Sequence, residues 1–467
     1  MNAPFVPPLL PPERSAVGLP GFLAAVRTNA LRMWPAEAYE RETVGGGALG
    51  RSWVLLNAPA AIHHVLVENV AGYRRTPASV RVLRPITGRG LLLAEGAAWK
   101  LQRRTTAPAL APRTLPLLVP HIAAAAAAAL PELRAAARAG PVDLLAAMQG
   151  VTLDAAARAM FSLQSAQFGA AMRRSLSSFA ERLARPTALD LVLPPWLPTP
   201  RDLARWRYRS GWVRLIDGII AARAAQPVGA APRDLFDLLL AARDPQSGAG
   251  FSRTELRDQV ATLIVAGHET TALALFWSLY LLANTPDAQA RVAAEVAAAD
   301  LSPAGAHAAL PRLVFTGAVV SEALRLFPPA FTMVRQARRA DVAGGVAIPR
   351  NATVMIAPWV LHRHRRLWEQ PDAFRPERFL PGAPPPPRMS YLPFGVGPRV
   401  CVGAQFALTE AVLVLAHLVQ AFRIGMASDR PVLPAPIVTT QPDHAPGFTL
   451  AERDGAPRQT DRAAAAD

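Results

Sequence analysis

Three features of the 467-residue chain predict a mainly α protein with a minor, segregated β part. Helical patterning dominates from about residue 94 to 330. Within it, ELRDQVATLIVAGHETTALALFWSLYLLAN at 255–284 is apolar on most faces, which places a long helix at the centre of the fold. From 330 to 360 the pattern changes to short extended segments punctuated by Gly, Asp and Pro.

The elements follow in order. The first fifty residues are rich in proline and glycine, with a short helix expected near 22–32. RSWVLLN at 51–57 reads as a strand and PAAIHHVLVEN as a helix behind it. HIAAAAAAALPEL at 121 is an alanine-rich helix, since alanine is the best helix former. The prolines of LVLPPWLPTP at 191–200 break the helices and make a long connection. FTMVRQA, GGVAIP and ATVMIAPWV are the β segments, and VGAQFALTEAVLVLAHLVQAF is the last long helix. One domain is expected over 1–467, with 1–44 as a proline- and glycine-rich lead and 452–467 as a flexible tail.

Composition narrows the function. The net charge is +16, yet Lys100 is the only lysine and the arginines are scattered through apolar segments. Nucleic-acid binding is not expected from that scatter, whereas a basic patch for an acidic protein partner is. One cysteine excludes intramolecular disulfides and multi-cysteine metal sites. No signal peptide, membrane anchor or spanning segment is read in the chain, so a soluble cytoplasmic protein is expected.

That cysteine, Cys401, lies in YLPFGVGPRVCVGAQFALTE, just before the last helix. A helix N-terminus favours a thiolate over a thiol. Glycines let the backbone approach something flat, and Arg399 offers a charged fork suited to a carboxylate. Together these suggest a metal ligand inside a carboxylate-bearing macrocycle. An isolated cysteine is as a rule an inert buried residue. The spacing F-G-x-G-x-R-x-C-x-G sets this one apart, because a chance match is rarer than about one in a hundred thousand.

The stretch resembles the haem-binding signature of the cytochrome P-450 superfamily, with the cysteine as axial thiolate of the haem iron. Three further regions extend the resemblance over about 45–425. AGHETT at 266–271 puts Gly and two Thr inside a buried helix, poor choices for stability unless a groove is needed. It resembles the superfamily's oxygen-activating motif, which makes Glu269 and Thr270 the acid–alcohol pair and leaves His268 structural. Glu322 and Arg325, at i and i+3, share a helix face. With Arg378 in FRPERF they match the structural triad that the superfamily places behind the haem. Trp99 and Arg103 occupy the places of haem-propionate partners, as do Arg335 and Arg399. Phe394 and Gly395 belong to the cofactor loop. One departure is His364 in HRHRRLW, where an acidic residue is common, so the superfamily's minor surface contact there is not carried over.

The resemblance implies a cytochrome P-450 fold, with haem b (iron protoporphyrin IX) between the central helix and the cysteine loop. It implies a monooxygenase that inserts one atom of O2 into a hydrophobic small molecule, by hydroxylation or epoxidation. Electrons would come from a separate ferredoxin-type or flavodoxin-type carrier and its NAD(P)H reductase, since no flavin or iron–sulfur segment follows the last helix. Arg103, Arg104 and Arg399 would offer the basic docking surface. A monomer is expected. Leu92, Val265, Ala266, Ala330 and Phe331 are expected in the substrate pocket, with 438–448 contributing. The apolar lining fits a fatty acid, a terpenoid or an aromatic, and the helix spacing resembles bacterial fatty-acid hydroxylases. A peroxide-driven relative would often lack the acid–alcohol pair. A cysteine hydrolase would need a histidine base near Cys401 and would leave AGHETT unexplained.

Overall fold

The computed structural model describes residues 3–453 except 14–20, 22–23, 26–27, 49–50, 164–167, 195, 227–230 and 437. The helices that build and flank the site are, in chain order, α1 (Pro77–Thr87), α2 (Gly96–Thr106), α3 (Leu115–Ala139), α4 (Leu144–Phe161) and α5 (Gly169–Arg182). They continue with α6 (Ala188–Val192), α7 (Pro200–Ala224), α8 (Arg253–Ala283), α9 (Val314–Leu326) and α10 (Ala404–Ala421).

The strands are short and come from both ends of the chain. β1 (Thr43–Ala48), β2 (Arg51–Leu56) and β3 (Tyr73–Arg74) precede the helices, and β4 (Val142–Asp143) interrupts them. After α9 come β5 (Met333–Ala337), β6 (Asp341–Ala343), β7 (Val346–Ile348) and β8 (Thr353–Ile356). β9 (Phe422–Met426), β10 (Pro434–Pro436), β11 (Thr440–Pro442) and β12 (Gly447–Glu452) follow α10. One five-stranded sheet runs β1-β2-β8-β5-β3, so N-terminal strands pair with those after α9. β2 lies parallel to β8, with Val54 opposite Val354, and β5 is antiparallel to β8. The segregated β part is therefore present, and the fold class expected from sequence holds.

The central helix is α8. Ser252 caps it in a reciprocal box with Glu255, and from Ala272 to Leu282 every residue is buried. Around it α3, α9 and α10 contribute to one large apolar cluster, while α4, α5 and α7 form a second. Three segments, Pro112–Ala139, Arg253–Ala283 and Ala404–Ala421, are long and apolar enough to cross a bilayer by length and composition. This corrects the sequence expectation that no stretch qualifies. Two-thirds of the apolar window in α8 and in α10 is buried inside the protein, where a core helix needs the same composition.

Local expectations differ at several points. PAAIHHVLVEN gives one α turn at Pro59–His63 and then a π-helical turn at His64–Glu68. Of the helix expected near 22–32, residues 22, 23, 26 and 27 lie outside the described residues; the rest ends in a 3-10 turn at Ala30–Met33 capped by Asn29. The tail expected from 452 lies outside the described residues beyond 453, and Glu452 closes β12. Strand β1, TVGGGA, carries three glycines and gains its order by pairing with β2.

Candidate active site

The loop around Cys401 is built on two glycines with positive φ, Gly395 at 70° and Gly397 at 74°. A Cβ on Gly397 would stand 2.3 Å from the Leu66 carbonyl oxygen, so both the conformation and the close approach require glycine there. The Cys401 amide donates to the Phe394 carbonyl at 2.9 Å, closing the loop back on itself. Gly403 is the N-cap of α10, and its amide is directed at the Cys401 sulfur. Cys401 is exposed although protein surrounds it closely. Burial pushes the thiol above its ordinary pKa, and the Gly403 amide and the Arg103 charge oppose that only partly. The helix-end preference for a thiolate, expected from sequence, is outweighed here by loss of solvation.

Arg103 donates to the Val400 carbonyl at 2.8 Å. It braces the cysteine loop and sets a positive charge beside the sulfur, rather than joining the cationic cavity where a carboxylate partner was expected. Trp99, one turn earlier, lies under the Arg399 guanidinium, 4.5 Å from ring centre to guanidinium carbon. Arg399 in turn donates to the Ala94 carbonyl at 3.0 Å. Arg104 is occupied by Asp244 through two hydrogen bonds of 2.7 and 3.2 Å, which removes it from the docking surface expected of it.

Beside this loop lies a small cavity whose wall includes Arg75, Arg335, Arg399, Glu95, Met333 and Gly395. Three guanidiniums share one enclosed space. Burial, then the charges of Arg335 and Arg399, pull Arg75 down to about 9. Burial and Arg399 pull Arg335 to about 10. The Arg75 Nε has no partner among the described residues, and Arg335 donates to the carbonyl of its own neighbour, Val334. Three guanidiniums against the single carboxylate of Glu95 leave the cavity net positive, as an anion site requires. Sequence reading missed Arg75; its signal was YRRTP, a pair of arginines directly before α1.

Across the site, α8 continues without a break through AGHETT. Ala266 is exposed in the middle of this otherwise buried helix, Val265 is half-buried beside it, and Gly267 has open space where a Cβ would stand. The Thr270 hydroxyl donates back to the Ala266 carbonyl at 2.6 Å. Glu269 accepts from Thr439 Oγ1 at 3.0 Å and from Gln441 Nε2 at 2.6 Å. The hairpin β10–β11 thus holds that carboxylate, and no hydrogen bond joins Glu269 to Thr270 among the described residues. His268 is buried, bonded to the Gln149 carbonyl at 2.9 Å and pushed down to about 4 by burial, in keeping with a neutral structural residue. Of the other pocket positions, Ala330 is exposed and Leu92 half-buried. Phe331 is buried in the main apolar cluster instead.

Behind the loop, Glu322 and Arg325 are fully buried and joined by bonds of 2.7 and 2.8 Å. Arg325 also donates to the carbonyls of His362, Pro371 and Ala373. Arg378 Nε stands 3.4 Å from Glu322, so the expected triad is assembled. His362 completes it: one ring nitrogen meets the Arg325 carbonyl and the other accepts from the Leu392 amide at 2.8 Å. Burial and the Arg325 charge push His362 down to about 3, so it is neutral, and it ties α9 to the start of the cysteine loop. His364, the departure in the same HRHRRLW stretch, is buried against the Arg41 carbonyl. The three-residue spacing of Glu322 and Arg325 was legible; the link through His362 depends on folding.

An accessible thiol, a cationic cavity and an open stripe on a central helix define a protein that holds a flat, anionic group against a sulfur. The chain belongs to the cytochrome P450 family, whose model matches residues 41–445. It is a cytochrome P450 monooxygenase, and the family brings a haem-thiolate cofactor, O2 and a redox partner. Cyclooctatin synthase of Streptomyces melanosporofaciens is 36% identical over 388 residues, 81% of this chain and 82% of that protein. Cyclooctat-9-en-7-ol 5-monooxygenase of the same organism is 31% identical over 348 residues, 73% and 74% of the two chains. Among solved structures, the cytochrome P450DA heme domain superposes with a TM-score of 0.80 at 24% identity, covering 96% of this chain and 99% of that one, a likeness of fold.

The residues present fit a haem. Its two propionates match the convergent Arg75, Arg335 and Arg399 with their unspent donors. Its flat face matches the space left at Gly267 and Gly403, where no atom lies within 4 Å of a built Cβ.

Proposed function

We propose that this chain is a single-domain haem b monooxygenase that oxidises an apolar ring-bearing alcohol or alkene. The observation that carries the reading is the exposed Cys401 sulfur on the loop whose Gly395 and Arg399 line a cavity that also gathers Arg75 and Arg335. Bound haem would supply O2 activation: one oxygen atom goes to carbon and the other leaves as water, with two electrons from a separate carrier and two protons from solvent.

The protein does the rest. Cys401 would hold the haem iron through its sulfur, on which the Gly403 amide and Arg103 favour negative charge. Arg75, Arg335 and Arg399 would neutralise the propionates, with Trp99 stacked on the Arg399 plane. Thr270 presents its hydroxyl oxygen towards the open side of α8 as a proton relay, with Glu269 as the acid positioned by Thr439 and Gln441. Val265, Ala266 and Ala330 present an apolar wall that excludes water and takes a hydrophobic substrate. The relative named for cyclooctat-9-en-7-ol points to a cyclic alcohol carrying a double bond ahead of a fatty acid. The excess of positive charge suits an acidic ferredoxin-type or flavodoxin-type carrier with its NAD(P)H reductase. A monomer in the cytoplasm completes the reading.

The test is the absorption spectrum of the reduced protein under carbon monoxide, for wild type and Cys401→Ser. A strongly red-shifted Soret band, lost in the variant, is expected. A haem band at the ordinary shorter wavelength in folded wild type would remove Cys401 as the ligand. For substrate, a spin-state shift with cyclooctat-9-en-7-ol and none with fatty acids is expected; the reverse pattern reassigns the substrate class.

Arg75→Met gives a second check, with two readouts of opposite sign. Losing one charge-assisted bond to a carboxylate should speed haem loss about tenfold or more. Ligand-free protein should gain stability, because one of three repelling buried charges is gone. Loss of stability in the ligand-free variant would make Arg75 a structural residue.

A further inference from the structure

The stretch PAAIHHVLVEN ends in the π-helical turn His64–Glu68, closed by the Asn69 amide on the His64 carbonyl at 2.8 Å. Single π turns are rare and gather at functional sites. This one brings Glu68 beneath two histidines at once. Its carboxylate oxygens meet His63 Nδ1 at 2.9 Å and His64 Nδ1 at 3.1 Å.

The two histidines differ in what faces their other nitrogen. His63 Nε2 meets an Arg388 N–H at 3.2 Å, so that nitrogen accepts. His64 Nε2 meets Asp341 Oδ2 of β6 at 3.0 Å, so both of its nitrogens face carboxylates. A neutral imidazole has one N–H and would turn a lone pair on one of the two anions, whereas an imidazolium donates to both. Burial opposes the charge, but Asp341 and Glu68 outweigh it and raise the His64 pKa above its ordinary 6.5.

Asp341 is a hub for the whole segment. The oxygen that meets His64 also accepts from Asn69 Nδ2 at 2.8 Å and from the Tyr73 hydroxyl at 2.6 Å, and the other accepts from the Val342 amide at 2.9 Å. Burial disfavours its ionised form, yet the Tyr73, His64 and Asn69 donors hold its pKa at about 2, so it is an anion wherever His64 titrates. Burial and the Asp341 charge keep Tyr73 protonated as a donor. One carboxylate thus ties down three points between residues 64 and 75.

That segment is a wall of the haem site. Val65 and Leu66 line the cationic cavity with Arg75, Arg335 and Arg399. The Leu66 carbonyl is the atom that Gly397 of the cysteine loop approaches, and Tyr73 stands two residues before Arg75.

We propose that His64 is a positioning residue for the haem site: carrying a proton, it clamps the 64–75 segment to Asp341 and against the cysteine loop, and losing that proton loosens the wall that retains haem. This role presupposes the haem-thiolate site proposed above, whose own test is the carbon monoxide spectrum. The folded protein holds the proton more tightly than the unfolded chain does. The clamp therefore contributes fully below pH 6.5 and is lost as pH rises through the folded value.

Transfer of haem from the loaded full-length chain to excess apomyoglobin, followed from about pH 6 to about pH 9, tests this. Near the acid end His64→Gln should lose haem about fivefold faster than wild type, and near the alkaline end the two rates should converge. Protonation of Cys401 or of the propionates acts on both proteins, so the ratio of rates isolates His64. Asp341→Asn keeps an oxygen for Asn69 and Tyr73 but not the charge, and should behave as His64→Gln does. His63→Gln should keep the wild-type profile. In the diamagnetic reduced carbon monoxide form, the His64 ring resonances should titrate above pH 6.5, where the ratio falls. A constant ratio in proteins with a normal carbon monoxide spectrum overturns the clamp alone, as does a His64 that titrates at or below 6.5. A pH step that survives His64→Gln and disappears in His63→Gln would assign it to the neighbouring histidine and also overturn the clamp.

Discussion

Glu322→Leu is expected to lower the stability of the folded protein by about 3–5 kcal/mol, read as a fall in the denaturant midpoint. Arg325 is fully buried, and two of its five hydrogen bonds go to Glu322. Removing the carboxylate leaves a desolvated guanidinium whose other partners are neutral carbonyls of His362, Pro371 and Ala373. The Arg375 amide, which donates to Glu322 at 2.8 Å, loses its acceptor as well. Changing both members of the pair to apolar residues should not restore stability, because three buried carbonyls would then lack a donor at about 1–3 kcal/mol each. Arg378→Ala should cost less, about 1–2 kcal/mol: its bonds to the Glu369 and Gln370 carbonyls lie at the surface. A Glu322→Leu protein as stable as wild type would mean that the pair is not the brace described.

Glu410→Gln should stabilise the protein at alkaline pH. Glu410 sits on α10, fully enclosed, with the Thr271 hydroxyl of α8 beside it. One carboxylate oxygen and that hydroxyl complete no hydrogen bond among the described residues. Burial raises the carboxyl to about 8 in the folded protein, against an ordinary value of 4.5. The sign follows from proton uptake. Between those two values the unfolded chain has released the proton and the folded chain keeps it, so stability falls as pH rises and levels off above about 8. A glutamine carries no proton to lose, so Glu410→Gln should be more stable by about 2–4 kcal/mol near pH 8, with the difference vanishing towards pH 4. Parallel stability–pH curves for the two proteins would show that Glu410 ionises normally.

Much of the site was legible because it is local. A helix N-terminus, a pair of glycines and a cysteine within ten residues make the Cys401 loop, and Glu322 and Arg325 share one helix face by spacing alone. Arg103 was located correctly but not its partner: the Val400 carbonyl lies far along the chain. Arg104 looked like surface charge until Asp244 met it. His364 and His362 are two residues apart and both buried, and only the partners that the fold brings decide that His362 is the neutral link between α9 and the cysteine loop.

The chain by itself determined the order of the helices, the central place of α8 and the chemistry around Cys401, because periodicity, capping and short-range spacing act over a few turns. Tertiary structure alone decided that Arg75 joins Arg335 and Arg399 and that Thr439 and Gln441 hold Glu269. It also decided that His64 stands between Glu68 and Asp341. The physical reason is common to all three: each joins segments far apart in sequence or depends on whether a side chain loses its water. Burial, which sets the cost of every unpaired charge and the gain from every covered ring, exists only once the chain has folded.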